Sequence, residues 1–220
     1  MANERRCSVR LLVFGASLRE GSMNDSLASL AAAVAQEKGA SVERAAMTDF
    51  ECPTYDLDVE LSTGLPAGAQ ALHDKLVATD GFMIASPEYN ASMPGVIKNL
   101  IDWVSRFKPQ PLKGRHALVM SASPSMAGGN RGLWALRIPM EHLGARVYPD
   151  MFSLAQAHEA FGDDGNLKDA KLQKYFEAQS WYKANPDFKD DQLNEIEAQN
   201  LTKIKDAEET ATSKFAAAEG

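Results

Sequence analysis

The sequence predicts an α/β fold in which one doubly wound parallel sheet of five strands carries helices on both faces. The first observation is that short apolar runs alternate with longer segments of helical periodicity along most of the chain. The second is that the first of these runs, Ser8–Phe14, is largely apolar and ends at Gly15, as in a strand that is buried on both faces. Such alternation favours parallel pairing, because each crossover helix returns the chain to the same end of the sheet.

Five strands and five helices follow in order, and Gly, Pro and Asp-Gly signals mark several of their ends. Gly15 ends the first apolar run, Asp80-Gly81 closes a helix, and Pro94 suits a first helical turn, where its missing N–H needs no partner. Five strands in this alternation suit a flavodoxin-like domain. The predicted strands are Ser8–Phe14, Ser41–Ala46, Gly81–Ala85, Ala117–Ala122 and Ala145–Val147. The predicted helices are Ser26–Glu37, Ala67–Ala78, Pro94–Phe107, Gly129–Leu143 and Asn166–Gln179.

The chain becomes polar and charged from Ala184 onwards. We predict a domain over residues 1–180 and an appended tail over residues 181–220. Weak helical spacing of the apolar residues in the tail favours a helix packed on the domain or on a neighbouring subunit, and disorder is the alternative.

The composition of the 220 residues narrows the class of protein. With a net charge of -7, the chain lacks the basic character that nucleic acid requires. No apolar run approaches the roughly 18 residues of a membrane span. Two cysteines without a C-x-x-C spacing, and four scattered histidines, indicate neither a disulfide framework nor a metal site. We therefore expect a cytoplasmic protein that binds no nucleic acid, membrane or metal.

Ligands of such a sheet collect at the carboxyl ends of the strands, where the strand order reverses, so three loops are candidates for a site. The first, Gly15–Asn24, lies between a strand and a helix start, where unpaired N–H groups and the helix dipole attract an anion. Arg19 supplies a planar fork of donors that suits a phosphate. The loop matches neither the Rossmann nor the P-loop pattern, and a simple helix N-cap by Ser22 or Asn24 is the alternative.

The second and third loops have less distinctive chemistry. Ser86–Gly95 contains two prolines and a glycine, so a stiff backbone could present N–H and C=O groups to the edge of a planar ring. A tight connection with solvent-facing Glu88 and Tyr89 is the alternative. Ser121–Arg131 is rich in Ser and Gly, and is either a further binding segment or a flexible connection.

Two motifs give these loops a specific resemblance. The pattern Ser17-x-Arg19-x-x-Ser22-x-Asn24, together with the run Pro-Glu-Tyr-Asn…Pro-Gly-x-x-Lys-Asn-x-x-Asp-Trp that starts at Pro87, resembles the NADPH-dependent FMN reductase family. That family includes quinone, chromate and azo-dye reductases. The resemblance covers roughly residues 8–179, and its second motif is the more specific because many positions match within one stretch.

The resemblance implies how FMN would be held. The first loop would bind the FMN phosphate, the Pro-Glu-Tyr-Asn segment would lie along the isoalloxazine ring largely through backbone groups, and the third loop would lie on the other side of the flavin. Ser125 stands where family members often carry Gly, which leaves the conformation of the third loop open. The residues that the resemblance assigns to FMN are Ser17, Arg19, Ser22, Met23, Asn24, Pro87, Glu88, Tyr89, Asn90, Ser121, Ser123 and Gly128.

The implied function is NAD(P)H-dependent reduction of a small-molecule electron acceptor such as a quinone, an azo compound, free flavin or a metal oxyanion. NADPH is the expected co-substrate and the flavin does the chemistry, so we assign no catalytic side chain. Arg19 could also contact the 2′-phosphate of NADPH. Glu88, Tyr89 and Arg131 would take part in the contacts of a homodimer or homotetramer. A flavodoxin-like FMN electron carrier is the main alternative, and an interaction protein that has lost the cofactor is another.

Overall fold

A computed structural model describes residues 8–182, with side chains described through residue 178. The strands are β1 Arg10–Gly15, β2 Ser41–Ala46, β3 Gly81–Ala85, β4 His116–Ala122, β5 Arg146–Val147 and β6 Phe152–Leu154. They form one sheet in the order β2-β1-β3-β4-β5, with all pairs parallel and β6 also paired with β4. The chain runs from β1 outwards to β2 and returns past β1 to β3, so the strand order reverses between β1 and β3. The predicted doubly wound parallel fold is confirmed.

Helices cover both faces of this sheet. They are α1 Met23–Glu37, α2 Leu57–Thr63, α3 Ala67–Ala78, α4 Gly95–Val104, α5 Asn130–His142, α6 Ala157–Ala160 and α7 Ala170–Tyr182. Helix α1 begins three residues before its predicted start, because the Ser22 hydroxyl accepts the Asn24 N–H at 3.2 Å and caps it earlier. Helix α2 is not predicted, since none of its residues is buried and no apolar stripe marks it.

Two short strands share the last position in the sheet. β5 pairs with the start of β4 and β6 with its end, and the chain leaves the ladder between them over residues 148–151. Pro149 lies in this excursion and has no N–H for the ladder. Arg137 of α5 stabilises the excursion by donating to the carbonyls of Tyr148 and Pro149 at 3.2 and 3.0 Å. The sequence predicts only the first of the two strands, so β6 is a correction.

Side chains of the strands alternate between two apolar cores. Phe14 lies on the face covered by α3, α4 and α5, whereas its neighbour Val13 lies on the face covered by α1 and α7. Phe176 of α7 is fully buried, with its ring centroid 4.7 Å from that of Phe152, so α7 is part of the packed domain. Within residues 8–182, no helix is long and apolar enough to cross a membrane. The predicted tail lies outside the described residues apart from the end of α7.

Candidate active site

Three loops meet at one edge of the sheet, because they follow the carboxyl ends of the neighbouring strands β1, β3 and β4. We call residues 16–22, 86–94 and 123–129 the first, second and third loops. Each begins in register with an adjacent strand. Ala16 donates its N–H to Ala85 in β3 at 2.8 Å, and Ser86 donates its N–H to Met120 in β4 at 2.7 Å. The sheet therefore fixes where these loops start.

The first loop offers a cradle of donors at the start of a 15-residue helix, whose dipole favours an anion. Arg19 is exposed and loosely held, since within residues 8–182 its guanidinium donates only to the Gly21 carbonyl, at 3.4 Å. This donor set fits a phosphate group. The backbone N–H groups here that have no hydrogen-bond partner within residues 8–182 are those of Ser17, Leu18, Glu20, Gly21, Ser22 and Met23.

Two residues that the resemblance assigns to the phosphate are engaged inside the protein instead. The Ser22 hydroxyl caps α1, which is the alternative that the sequence left open. Asn24 is only 3% exposed, and its carboxamide accepts the Ala122 N–H and donates to the Ala122 carbonyl, both at 2.9 Å. Direct side-chain contacts from Ser22 and Asn24 to a phosphate do not fit this geometry, because both side chains are buried and already hydrogen-bonded.

The second loop is a tight turn. Tyr89 and Ser92 exchange two backbone hydrogen bonds of 2.9 and 3.0 Å around Asn90 and Ala91, which both have positive φ. The N–H groups of Asn90 and Ala91 have no partner in the described part of the chain. This turn therefore presents free backbone donors, as expected of a segment that lies along a ring.

Glu88 ties the second loop to the start of α5. Its largely buried carboxylate accepts from the Arg131 guanidinium at 2.8 Å and from the Gly132 N–H at 3.1 Å. Burial raises the pKa of Glu88, but these hydrogen bonds lower it by more, so its pKa lies below the usual value. Only the backbone of Glu88 is therefore available to contact a flavin ring. Its carboxylate pairs with Arg131 of the same chain.

In the third loop, only one of the assigned residues is within reach of a ligand. Ser123 is half-buried, and Ser121 is 0% exposed beneath Gly129, where a Cβ would lie 1.9 Å from the Ser121 hydroxyl oxygen. That hydroxyl has no partner within residues 8–182. Gly128 is buried against the backbone of Ser153. The geometry gives no support to the contacts expected from Ser121 and Gly128 to FMN, because the chain folds back over the end of β4 and covers both residues.

Several groups at the site carry no signature in the sequence. The free N–H groups of Leu18 and Gly21 belong to the backbone, which every residue type except proline shares. Met126 in the third loop is exposed, but a lone methionine predicts nothing about its position. Ser125 has no positive φ, so the loop accommodates serine where the family often has glycine.

The family model for NADPH-dependent FMN reductases matches residues 9–159, which is more than half of the chain. The chain belongs to this family. A quinone reductase of Escherichia coli (strain K12) is 40% identical to this reductase over 132 residues, which cover 60% of this chain and 69% of that protein. An NAD(P)H-dependent FMN reductase of Pseudomonas aeruginosa is 32% identical over 173 residues, which cover 78% of this chain and 91% of that protein.

Solved structures agree with this membership. FerB, a flavoenzyme NAD(P)H:(acceptor) oxidoreductase from Paracoccus denitrificans, superposes with a TM-score of 0.66 at 27% identity, over 78% of this reductase and 93% of that chain. The predicted family, fold, redox activity and use of FMN and NADPH are confirmed. A second family model, for the YARHG domain, matches residues 166–209. The sequence predicts only a polar tail over most of that range, without a family.

Proposed function

We propose that this reductase holds FMN by its phosphate at the start of α1 and by its ring between the second and third loops, and that it reduces small planar apolar acceptors. The observation that most supports this placement is the row of N–H groups beside Arg19 in the first loop, which have no hydrogen-bond partner among the residues that the structure describes. Ser17 and Arg19 would bind the phosphate with their side chains, and Ser22 and Met23 with their N–H groups. The backbone of Pro87–Asn90, together with Ser123, would line the ring.

FMN held at these loops would supply the redox chemistry that connects NADPH to the acceptor. The protein's own part is to orient the reactants and to stabilise charge. The N–H groups of Asn90 and Met126, unpartnered among the described residues, are free to donate to negative charge near the ring. Glu88 is a poor proton donor, because Arg131 and Gly132 hold its carboxylate in the ionised form. We therefore assign no catalytic acid or base.

The rim of the site favours an apolar acceptor over a metal oxyanion. Each of the three loops displays one large exposed apolar side chain: Leu18 is 58% exposed, Tyr89 53% and Met126 76%. Such side chains bury themselves readily against a planar ring, whereas among the three only the Tyr89 hydroxyl could donate to a hydrated oxyanion. Relatives named quinone reductase, such as the Escherichia coli protein, support a quinone as the acceptor.

Steady-state NADPH oxidation by the holoenzyme, with a benzoquinone and with chromate as acceptors, tests this preference. Met126→Ser should lower kcat/KM for the quinone by about tenfold, because it removes apolar contact with the acceptor, and should leave the rate with chromate unchanged. Leu61→Ser is the matched control, since Leu61 is equally exposed but lies on α2. A quinone rate that Met126→Ser does not alter would show that the rim does not select the acceptor.

We also propose that the reductase assembles as a homodimer or homotetramer. Trp134 and Ile138 are exposed on the outer face of α5, on the helix that Glu88 contacts. Exposed apolar residues one turn apart favour a subunit interface. Light scattering on the full chain should give at least twice the monomer mass, and Trp134→Glu should lower it. A monomeric parent protein would rule out this assembly.

The division into a domain of residues 1–180 and a tail of residues 181–220 stays a proposal. It is supported by the change in composition, whereas the second family match begins earlier, at residue 166. A cytoplasmic location is likewise proposed on the cysteine content, with Cys52 a free thiol.

A further inference from the structure

Asn24 connects two parts of the candidate site that are far apart in the sequence. It lies in the first turn of α1, directly after the first loop, and its carboxamide forms both of its hydrogen bonds with Ala122, the last residue of β4. The two residues are 98 positions apart. A pair of buried 2.9 Å bonds of this kind fixes one backbone relative to the other, because breaking it would leave buried polar groups unpaired.

Ala122 is the residue from which the third loop departs. The next residue, Ser123, is held by β6 and α6: it donates its N–H to Leu154 and accepts the Ala157 N–H, both at 3.0 Å. The start of the third loop therefore has little freedom of its own. A displacement of the first turn of α1 would act on it through Asn24.

We propose that Asn24 is a positioning residue that couples the phosphate end of the site to the ring end. Occupation of the first loop by an anion would order the first turn of α1, and Asn24 would transmit that order to the third loop. The inference rests on the proposed placement of FMN. It assigns to Asn24 a role that needs no contact with the cofactor, which agrees with its burial.

Riboflavin, which lacks the phosphate, and inorganic phosphate together test this coupling. With the full chain freed of flavin, saturating phosphate should tighten riboflavin binding by about five- to tenfold, measured by quenching of flavin fluorescence. In Asn24→Leu, the new side chain has a similar volume but forms no hydrogen bonds. The riboflavin Kd without phosphate, divided by the Kd with saturating phosphate, should then fall towards one. Asn24→Asp, which retains an acceptor for the Ala122 N–H, serves if the leucine variant does not fold, and its ratio should also fall.

Asn99 supplies a matched control. On α4 its carboxamide likewise accepts a backbone N–H, from Tyr55, and donates to backbone carbonyls, those of Pro53 at 2.9 Å and Cys52 at 3.4 Å, but it joins no two loops of the site. Asn99→Leu should lower stability and leave the phosphate effect intact. An undiminished ratio in a folded Asn24 variant, whether Asn24→Leu or Asn24→Asp, or a ratio of one in a parent protein that binds riboflavin, would overturn the coupling alone. A parent protein that binds neither FMN nor riboflavin would instead overturn the proposed function.

Discussion

Arg19 and Asn24 belong to one sequence motif, yet Arg19 is exposed and Asn24 is buried. The motif therefore combines two tasks, since an exposed guanidinium can meet a ligand and a buried carboxamide can only hold the loop in place. The same division recurs at Glu88, whose carboxylate binds Arg131 and Gly132 while its backbone stays available. Residue type alone does not distinguish these roles, because it gives the chemistry of a side chain but not the direction in which it lies.

Arg19→Ala should weaken FMN binding by about tenfold or more, because a hydrogen bond to a charged group contributes roughly 1.5–3 kcal/mol. Riboflavin affinity should change little, since riboflavin has no phosphate. Arg146→Ala is the control: Arg146 is also exposed, but it lies at the opposite end of the sheet from the loops. Titration with both flavins measures the effect, and equal losses for FMN and riboflavin would argue against a phosphate contact.

The Arg19→Ala variant also tests whether Arg19 contacts the 2′-phosphate of NADPH. An unchanged preference for NADPH over NADH in this variant would reject that contact.

Ser121→Ala should leave FMN affinity unchanged, whereas Ser17→Ala should lower it. The Ser121 hydroxyl is inaccessible and unpartnered, so its removal should keep the free energy of unfolding the same or raise it by up to about 1 kcal/mol. Flavin titration and urea unfolding measure the two quantities. A loss of FMN affinity in Ser121→Ala with no loss of stability would show that Ser121 contacts FMN despite its burial in the flavin-free structure.

Glu88→Gln should make stability less dependent on pH. The pKa of Glu88 is lowered in the folded state, so its ionised form stabilises the fold above the ordinary pKa of glutamate, and this contribution is lost as the pH falls through the folded value. Urea unfolding should show the parent more stable than the variant near pH 7, well above that ordinary pKa, with the difference shrinking below about pH 4. A difference of the same size on both sides of that range would mean that the Glu88 charge is not involved.

Elements with a clear apolar pattern and punctuated ends are predicted with their exact limits, as for β3 and α3. The limits of β2 are also predicted exactly, although only Ala45 of this strand is buried. The elements that the sequence does not predict lack a clear apolar pattern, even where their ends are marked, as by Asp56 and Gly64 at the two ends of α2. Helix α2 buries no residue, and β6 is three residues long and resumes a ladder that Pro149 interrupts. Tertiary contacts, here those of Arg137 with the carbonyls of residues 147–149, decide where β6 lies.

The second loop offers a test at the scale of one turn. Ala91 has φ +60, which costs a residue with a Cβ about 1–2 kcal/mol, so Ala91→Gly should raise the free energy of unfolding by about 0.5–1 kcal/mol. Ala33→Gly, at an exposed position inside α1, should have the opposite sign and cost about 1 kcal/mol. Urea unfolding with the same excess of FMN measures both. Destabilisation by Ala91→Gly would contradict the turn geometry.

At the scale of the whole molecule, the strand order brings together loops that lie about 70 and 110 positions apart in the chain, since β1, β3 and β4 are neighbours. The sequence predicts this convergence and the phosphate end of the site. It does not predict which side chains are buried at the ring end, because that depends on how α5 and β6 close over Ser121 and Gly128. The sequence likewise does not predict that the side chains of the apolar rim, Leu18, Tyr89 and Met126, are exposed together.

Anaerobic mixing of the FMN-loaded full chain with NADPH tests whether the site works as a reductase. We expect the visible absorbance of oxidised flavin to disappear rapidly and to return when a benzoquinone is added in the absence of oxygen. Bound flavin that NADPH leaves oxidised would contradict this and indicate an electron carrier, and a colourless protein that takes up no FMN would contradict the cofactor site itself.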